Sequence, residues 1–226
     1  EFRRVLFRSQ LLVDVFRSQS IAVLGNVLIA MGLAALIAFG YQYKTGEPLM
    51  NADQIAYQLH SIDPFAGTLW FAAIAGVWLF CSGIISGYFD NRSNYLNMRM
   101  RLTQNPLLKK LMSEKSRVKF ANYMHENYGS LIGNLCFGML LGITGVVGYL
   151  THLPLDIRHV AFSSANVGYI AVSGQFTYPF FLQCIGFVLL IGLVNLIVSF
   201  SLTLWVALRS LNAEIESWWP IWHEVC

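Results

Sequence analysis

The hydropathy pattern divides the chain into four long apolar blocks that are separated by polar segments. Each block has about the 20 residues that a helix, rising about 1.5 Å per residue, needs to cross a hydrocarbon core of about 30 Å. Only helices and closed barrels satisfy backbone polar groups in lipid, and blocks of this length and composition are typical of helices. The predicted transmembrane helices are Ile21–Tyr41, Gly67–Ile85, Leu131–Leu150 and Phe180–Val206.

The composition agrees with this pattern. The chain is 56% hydrophobic and 12% charged, whereas an ordinary soluble domain is roughly one quarter charged. We therefore predict an all-α fold, a polytopic membrane helical bundle, and exclude an ordinary soluble domain.

The number of crossings depends on the polar segment between the third and fourth blocks. Leu153–Tyr169 has the sequence LPLDIRHVAFSSANVGY. If Ile157–Gly174 crossed the membrane completely, the bundle would have five transmembrane helices and the C-terminus would lie outside. The polar content of this segment favours the alternative, a thin helix that packs against the spans or dips into the bilayer as a re-entrant segment.

The charge distribution predicts the orientation. Of the 15 Lys and Arg residues, only Lys44 and Arg158 fall in the two connections on one side of the four spans. The positive-inside rule then places both chain ends and the loop 86–130 in the cytoplasm.

The cytoplasmic loop is predicted to contain an amphipathic helix. Asn105 and Pro106 are typical of an N-cap and a first helical residue, and apolar residues recur at helical spacing from Leu108 to Met124. Such a helix could lie along the inner membrane surface against anionic lipid headgroups, or it could contact DNA. The candidate contact residues are Arg92, Arg99, Arg101, Lys109, Lys110, Lys115, Arg117 and Lys119.

The polar segment carries the candidate functional motif. Asp156 can cap a helix that starts there. Asp156 and His159, three residues apart, also suit a proton relay or an ion site, and a structural capping and interface cluster is the alternative. The motif consists of Asp156, Arg158, His159, Ser163, Ser164 and Asn166.

Three asparagines lie inside apolar blocks. A polar side chain in lipid needs a partner, so we predict that Asn26, Asn134 and Asn195 form hydrogen bonds between helices, with substrate contact as the alternative. Small residues at a spacing of four predict close approach of neighbouring helices. They are Gly138 and Gly142, with Gly145 and Gly148 continuing the stripe, and Ala72/Gly76 and Gly83/Gly87 on the second span.

A weak internal repeat indicates two similar helical hairpins in parallel orientation. Gly25-Asn26, Met31 and Gly40-Tyr41 recur at identical spacing as Gly133-Asn134, Met139 and Gly148-Tyr149. The predicted parts are a cytoplasmic start (1–20), the first transmembrane hairpin (21–85), the basic loop with its helix (86–130), the second hairpin (131–209) with the polar motif 153–174, and a cytoplasmic tail (210–226). Residues 1–9, EFRRVLFRS, resemble translated vector sequence and do not enter the fold prediction.

No cofactor or metal is expected. The sequence has no P-loop, HExxH or GxSxG motif. Cys81, Cys136 and Cys184 lie within apolar blocks and lack zinc-site spacing, which is typical of small apolar side chains inside a bundle.

Several stretches resemble the bacterial membrane proteins known as site-specific recombinases, the SpecificRecomb transmembrane family. The resemblance lies in SGYFDNR (Ser86–Arg92), the basic helix that begins with Asn-Pro, Leu153–Tyr169 and Ser173–Arg209. It covers roughly Val23–Arg209 and leaves out the tail 210–226. The resemblance implies a multi-pass bacterial inner-membrane (plasma-membrane) protein, of which this chain is the C-terminal membrane half. The N-terminal remainder is then an expected partner.

The family name implies DNA strand exchange, which needs a nucleophile on a phosphate and cations around the transition state. The cytoplasmic loop has about 45 residues, too few to enclose a DNA-cleaving site, so we expect no enzyme activity in this chain. It does contain the ingredients of a tyrosine enzyme, namely Tyr88, Tyr95, Tyr123, Tyr128 and His125 beside basic residues.

Three functional hypotheses follow. The chain is a DNA-associated or non-enzymatic membrane component, a transporter or ion-coupled protein, or a structural component. In a transporter, Asn134, Asn195, Asp156 and His159 would line the path between the paired hairpins.

Overall fold

The computed structural model describes residues 2–153, 155–174 and 177–210, and within these ranges the regular structure is all helical. A short 3₁₀ helix, Pro64–Ala66, precedes the second long helix. The α-helices are α1 (Phe2–Thr45), α2 (Ala52–Ile62), α3 (Thr68–Tyr95), α4 (Met98–Gln104), α5 (Pro106–Leu111), α6 (Glu114–Thr151), α7 (Val160–Ala171) and α8 (Tyr178–Ser210).

Four helices of the described chain are long and apolar enough to cross a membrane, which confirms the predicted helical membrane bundle. They are Val23–Thr45 of α1, α3, α6 and Tyr178–Arg209 of α8. Large apolar side chains face outward along them, for example Leu28 at 70% and Ile29 at 72% exposure. Lipid tails are the natural solvent for such surfaces.

The predicted cytoplasmic helix begins as expected and ends early. The Asn105 side chain accepts hydrogen bonds from the backbone N–H groups of Leu107 (2.9 Å) and Leu108 (3.2 Å), and Pro106 is the first helical residue. The helix was predicted to continue to Met124, but α5 ends at Leu111. The reason is local, because the Ser113 hydroxyl accepts from the backbone N–H of Ser116 (3.4 Å) and caps a new helix, α6.

Helix α6 is continuous from the basic segment 86–130 into the third candidate span. At about 1.5 Å per residue, Glu114 lies about 25 Å along the helix from Leu131, where the apolar block begins. The basic stretch at the start of α6 therefore projects away from the apolar block. It does not lie flat as a separate amphipathic helix, which was one predicted arrangement.

Helix α7 is re-entrant. After α6 ends, the chain turns back along it, so that Leu155 lies against Gly148 and the Ile157 side chain comes close to Gly145. Helix α7 then packs along α1 and α8. With 12 residues it is about 18 Å long, too short to cross a core of about 30 Å. The five-span alternative therefore does not fit the structure.

The internal repeat is visible in the order of the helices. Helices α1, α2 and α3 form a long–short–long series, and α6, α7 and α8 form another. Ala52, the first residue of α2, and Val160, the first of α7, are 108 positions apart, and the same interval separates Gln58 from Asn166. These two side chains meet, because the Asn166 amide donates to Gln58 Oε1 at 2.6 Å.

Close helix packing depends on Gly76, one of the predicted small residues, and on Gly133, which was not predicted. A Cβ at Gly133 would lie 2.9 Å from Ser86 Cβ, and one at Gly76 would lie 2.8 Å from Val198 Cβ. Gly138 and Gly142 instead have open space within 4 Å of the Cβ position. The prediction that these two residues form the α6 contact is therefore wrong in the structure, because α6 turns their face outward.

Candidate functional site

Asn195 joins three elements near the middle of the bundle. It is only 2% exposed. Its Oδ1 accepts from the backbone N–H of Val160 (3.1 Å), and its Nδ2 donates to the carbonyls of Ala72 (2.7 Å) and Arg158 (3.1 Å). One side chain on α8 thus holds α3 and the start of α7, as expected for an intramembrane asparagine.

The other two asparagines of the apolar blocks behave differently. Asn26 and Asn134 are exposed, and no hydrogen bond of their side chains occurs within the described ranges. The prediction that each bonds between helices therefore holds for Asn195 alone. Asn26 lies on the outer face of α1, whereas Asn134 lies beside a groove between spans.

Asp156 does not cap α7, contrary to the prediction. Its carboxylate accepts from the backbone N–H of Ile157 (2.7 Å) and pairs with the Arg158 guanidinium, so it is already engaged before the helix starts. The N-cap is His159, whose Nδ1 accepts from the backbone N–H of Ala161 at 3.4 Å.

His159 is placed by aromatic contacts. It is 8% exposed, and its ring makes edge contacts with Phe137 (5.0 Å between centroids) and Phe162 (6.0 Å). Since Nδ1 accepts a backbone N–H, the ring in this geometry is neutral with its proton on Nε2. The structure describes no bond between His159 and Asp156, so it does not form the predicted proton-relay pair.

The remaining motif residues pack α7 into the bundle. Ser163 and Ser164 are buried, and the Ser164 hydroxyl donates to the Val160 carbonyl at 2.6 Å. Asn166 is bonded to Gln58 on α2. A Cβ at Gly168 would overlap the Met31 carbonyl, which is why α7 approaches α1 so closely.

A groove of about 370 Å³ lies between α3, α6 and α8, with a mostly apolar wall that carries six polar side chains. Hydroxyl groups there satisfy their own helices, since Ser82 donates to the Leu79 carbonyl (3.1 Å) and Thr203 to the Ser199 carbonyl (2.8 Å). Their oxygen lone pairs remain free to accept, and Asn134 supplies an amide. The polar lining residues are Ser82, Ser86, Ser130, Asn134, Ser199 and Thr203.

One end of the groove lies close to the start of α7. Leu196 and Ser199, which line it, follow Asn195 directly on α8. On α6, Asn134 lies three residues from Phe137, the ring that contacts His159. The polar segment and the groove thus meet through their neighbours on α6 and α8, and no described residue of 153–174 lines the groove itself. Sequence reasoning missed the hydroxyls, although Ser82 and Ser86, four residues apart, indicated a polar helix face.

Comparison with known proteins adds one finding. Residues 6–226 match the family model described as site-specific recombinase. The chain belongs to the site-specific recombinase family. No curated protein and no solved structure matches this recombinase-family chain.

The family match is wider than the resemblance found in the sequence. It continues through the tail to residue 226, so the expectation that 210–226 fall outside the family is wrong. It also includes residues 6–9 of the stretch that resembled vector sequence. Residues 211–226 lie outside the described residues.

The candidate basic residues of this recombinase-family chain lie on the last turn of α3, on α4 and α5, and on the first part of α6. Arg117 is half-buried. The exposed members are Arg92, Arg99, Arg101, Lys109, Lys110, Lys115 and Lys119. They do not assemble a recombinase site with the tyrosines that the structure describes. Arg92 donates to the Tyr88 hydroxyl at 3.3 Å, but within the same ranges no second cation bonds to that hydroxyl.

The described residues also contain no group of three His, Cys, Asp or Glu side chains that could hold a metal ion. Cys81, Cys136 and Cys184 are free thiols. The described residues of the candidate site therefore offer hydroxyls, amides, one imidazole and one ion pair.

Proposed function

We propose that this recombinase-family chain is a bacterial plasma-membrane protein that conducts a small, uncharged polar solute along the groove between α3, α6 and α8. The observation that carries the proposal is the re-entrant segment, which folds back between the spans and contacts α6 through the His159 and Phe137 rings, three residues from Asn134 in the groove. Non-helical backbone at membrane depth is tolerated only where protein buries it or where it lines a cavity. Broken helices and repeated units are recurrent features of solute paths.

The lining chemistry supports an uncharged solute. Hydroxyl oxygens of Ser82, Ser199 and Thr203 can accept hydrogen bonds, and Asn134 can both donate and accept. No acidic or basic side chain lines the groove among the residues described. An ion would therefore lose its hydration without a compensating charge, whereas a hydroxyl- or amide-bearing solute would exchange one set of hydrogen bonds for another.

The ends of the groove support a path that opens toward the cytoplasm. The Phe137–His159 ring contact and the Asn195 hydrogen bonds lie at one end. Ser86 and Ser130 line the other, toward the basic helices that the positive-inside rule places in the cytoplasm. Passage through the membrane then requires separation of the two aromatic rings.

Neighbouring positions on α6 provide the test. Asn134 lies in the groove, whereas Leu135 is 60% exposed on the outer face of the helix. In a chain whose four cysteines are replaced, Asn134→Cys should react with a water-soluble maleimide about tenfold faster than Leu135→Cys, because the reactive thiolate forms in water and not in lipid. Equal labelling rates would contradict a water-filled groove.

The same two positions test conduction. Proteoliposomes with the unaltered chain should swell in iso-osmotic glycerol or urea faster than empty liposomes, as followed by light scattering. Asn134→Trp should abolish the difference by filling the groove, and Leu135→Trp should leave it intact. Absence of faster swelling with both solutes, or equal loss in both variants, would refute the proposed function.

DNA contact by the cytoplasmic helices is the second candidate function. The observation in its favour is the set of exposed Arg and Lys side chains on α4, α5 and the start of α6, together with the family description. Each phosphate that a cation neutralises releases counterions, so such binding weakens as salt rises.

Removing two of these charges should change the salt dependence. In nanodisc-embedded protein, Lys109→Gln with Lys110→Gln should lower the slope of log K against log salt by about 2, measured by fluorescence anisotropy of a labelled duplex. Lys44→Gln, which removes a charge from the opposite side of the spans, is the control. Binding that ignores salt, or an equal effect of Lys44→Gln, would exclude this contact.

A further inference from the structure

A second cavity, open to the surface, lies between α4 and the first part of α6, and His125 in its wall is five residues along α6 from Ser130 of the groove. Its volume is about 360 Å³, which suits a small ligand. The lining residues are Asn97, Arg99, Met100, Thr103, Gln104, Val118 and His125. Five of these seven side chains are polar, and none is a carboxylate.

The two side chains that can carry positive charge in the cavity wall are held differently. Arg99 makes no ion pair within the described chain, so its guanidinium has no competing acid there. His125 is fixed by Ser93, whose hydroxyl lies 3.0 Å from Nδ1 and which is itself 2% exposed. Because Nδ1 is bonded to Ser93, Nε2 is the ring nitrogen left for a ligand.

The neutral side chains add donors around this charge. The Asn97 side chain does not cap α4, so its amide is not used by the helix that follows it. The Gln104 amide is exposed, and the Thr103 hydroxyl donates to the Arg99 carbonyl at 2.8 Å while its lone pairs stay free. Two amides and one hydroxyl thus line the cavity beside the guanidinium.

Unpaired polar atoms concentrate in the same stretch of α6. Arg117 Nε and Asn122 Oδ1 are both buried and have no hydrogen-bond partner in the part of the chain that the structure describes. Neither residue lines the cavity, whose α6 wall is Val118 and His125. Buried polar atoms are nearly always paired, so these two atoms show that the polar groups of this part of α6 are incompletely satisfied by the described chain.

We propose that this cavity binds a small phosphate monoester. A guanidinium matches two oxygens of a phosphate in one plane, and amides and an imidazole supply donors for the third. The absence of a lining carboxylate favours an anion, and the amides of Asn97 and Gln104 can serve a hydroxyl elsewhere on the ligand. The cavity is separate from the groove, so this proposal stands or falls independently of solute conduction.

Two arginines of α4 provide a matched pair for the test. Arg99 lines the cavity, whereas Arg101 is exposed on the same helix and does not. With the full chain in nanodiscs, glycerol phosphate binding is measured by isothermal titration calorimetry. Arg99→Gln should raise the Kd about tenfold or more, the usual cost of a lost charged hydrogen bond, while Arg101→Gln should change it less than about twofold. His125→Gln should also weaken binding.

The source of the phosphate is resolved by parallel titrations with inorganic phosphate, a short DNA duplex and vesicles that contain phosphatidylglycerol. Binding of glycerol phosphate or inorganic phosphate that depends on Arg99 supports the site. Undetectable binding of both small anions, or equal weakening by Arg101→Gln, would overturn it. Binding of the duplex or the vesicles alone would also overturn it and would assign these residues to a surface contact.

Discussion

Asn195→Ala is expected to lower the free energy of unfolding by about 3 kcal/mol. The substitution removes three hydrogen bonds and leaves the N–H of Val160 and the carbonyl of Arg158 without their partner inside the bundle. A net hydrogen bond is worth about 1 kcal/mol, and a buried group left unpaired adds to the cost. The measurement is the midpoint temperature at which detergent-solubilised protein loses its monodisperse size-exclusion peak.

Asn26→Ala is the matched control for this prediction. Asn26 lies in an apolar block like Asn195 but is exposed and makes no side-chain hydrogen bond within the described ranges. Its removal should change stability by less than about 0.5 kcal/mol. Equal effects of the two substitutions would show that Asn195 does not hold α3 to the start of α7.

Gly168→Ala is the second large effect, with an expected loss of about 3 kcal/mol. The new Cβ would overlap the Met31 carbonyl and approach Ala34 Cβ to 3.1 Å, so α7 would have to move away from α1. Backbone atoms cannot rotate aside as a flexible side chain can, which places this change at the upper end of overpacking costs. The same heating assay measures it.

Gly138→Ala provides the comparison, because nothing lies within 4 Å of its Cβ position. This change should be neutral or should stabilise α6 by about 0.5 to 1 kcal/mol, as alanine usually does in a helix. If Gly168→Ala is as well tolerated as Gly138→Ala, the close packing of α7 on α1 is incorrect.

The four spans were predictable because length and apolar composition alone decide them, and each predicted block overlaps a long helix of the structure. The Asn105-Pro106 helix start was predictable for a similar reason, since both signals act within the first turn. Features decided by neighbouring residues are therefore well predicted from this sequence.

Features that depend on contacts between distant parts of the chain were not predicted from the sequence. Helix α7 starts at Val160 because the N–H of Val160 bonds to Asn195, 35 positions away, and no local signal distinguishes that start from one at Asp156. The groove was not predicted either, for the same reason. The spacing of Ser82 and Ser86 marks a polar face, but the neighbours of that face depend on how α3, α6 and α8 pack.

The contact between Gln58 and Asn166 joins the two halves of the repeat. The two residues occupy the same position in each half of the chain, so the contact joins a position to its own counterpart. Contacts of this kind lie on the two-fold axis when they join two copies of one chain. The long helices depart from such a two-fold arrangement, since α6 packs on α3 whereas α1 packs on α7.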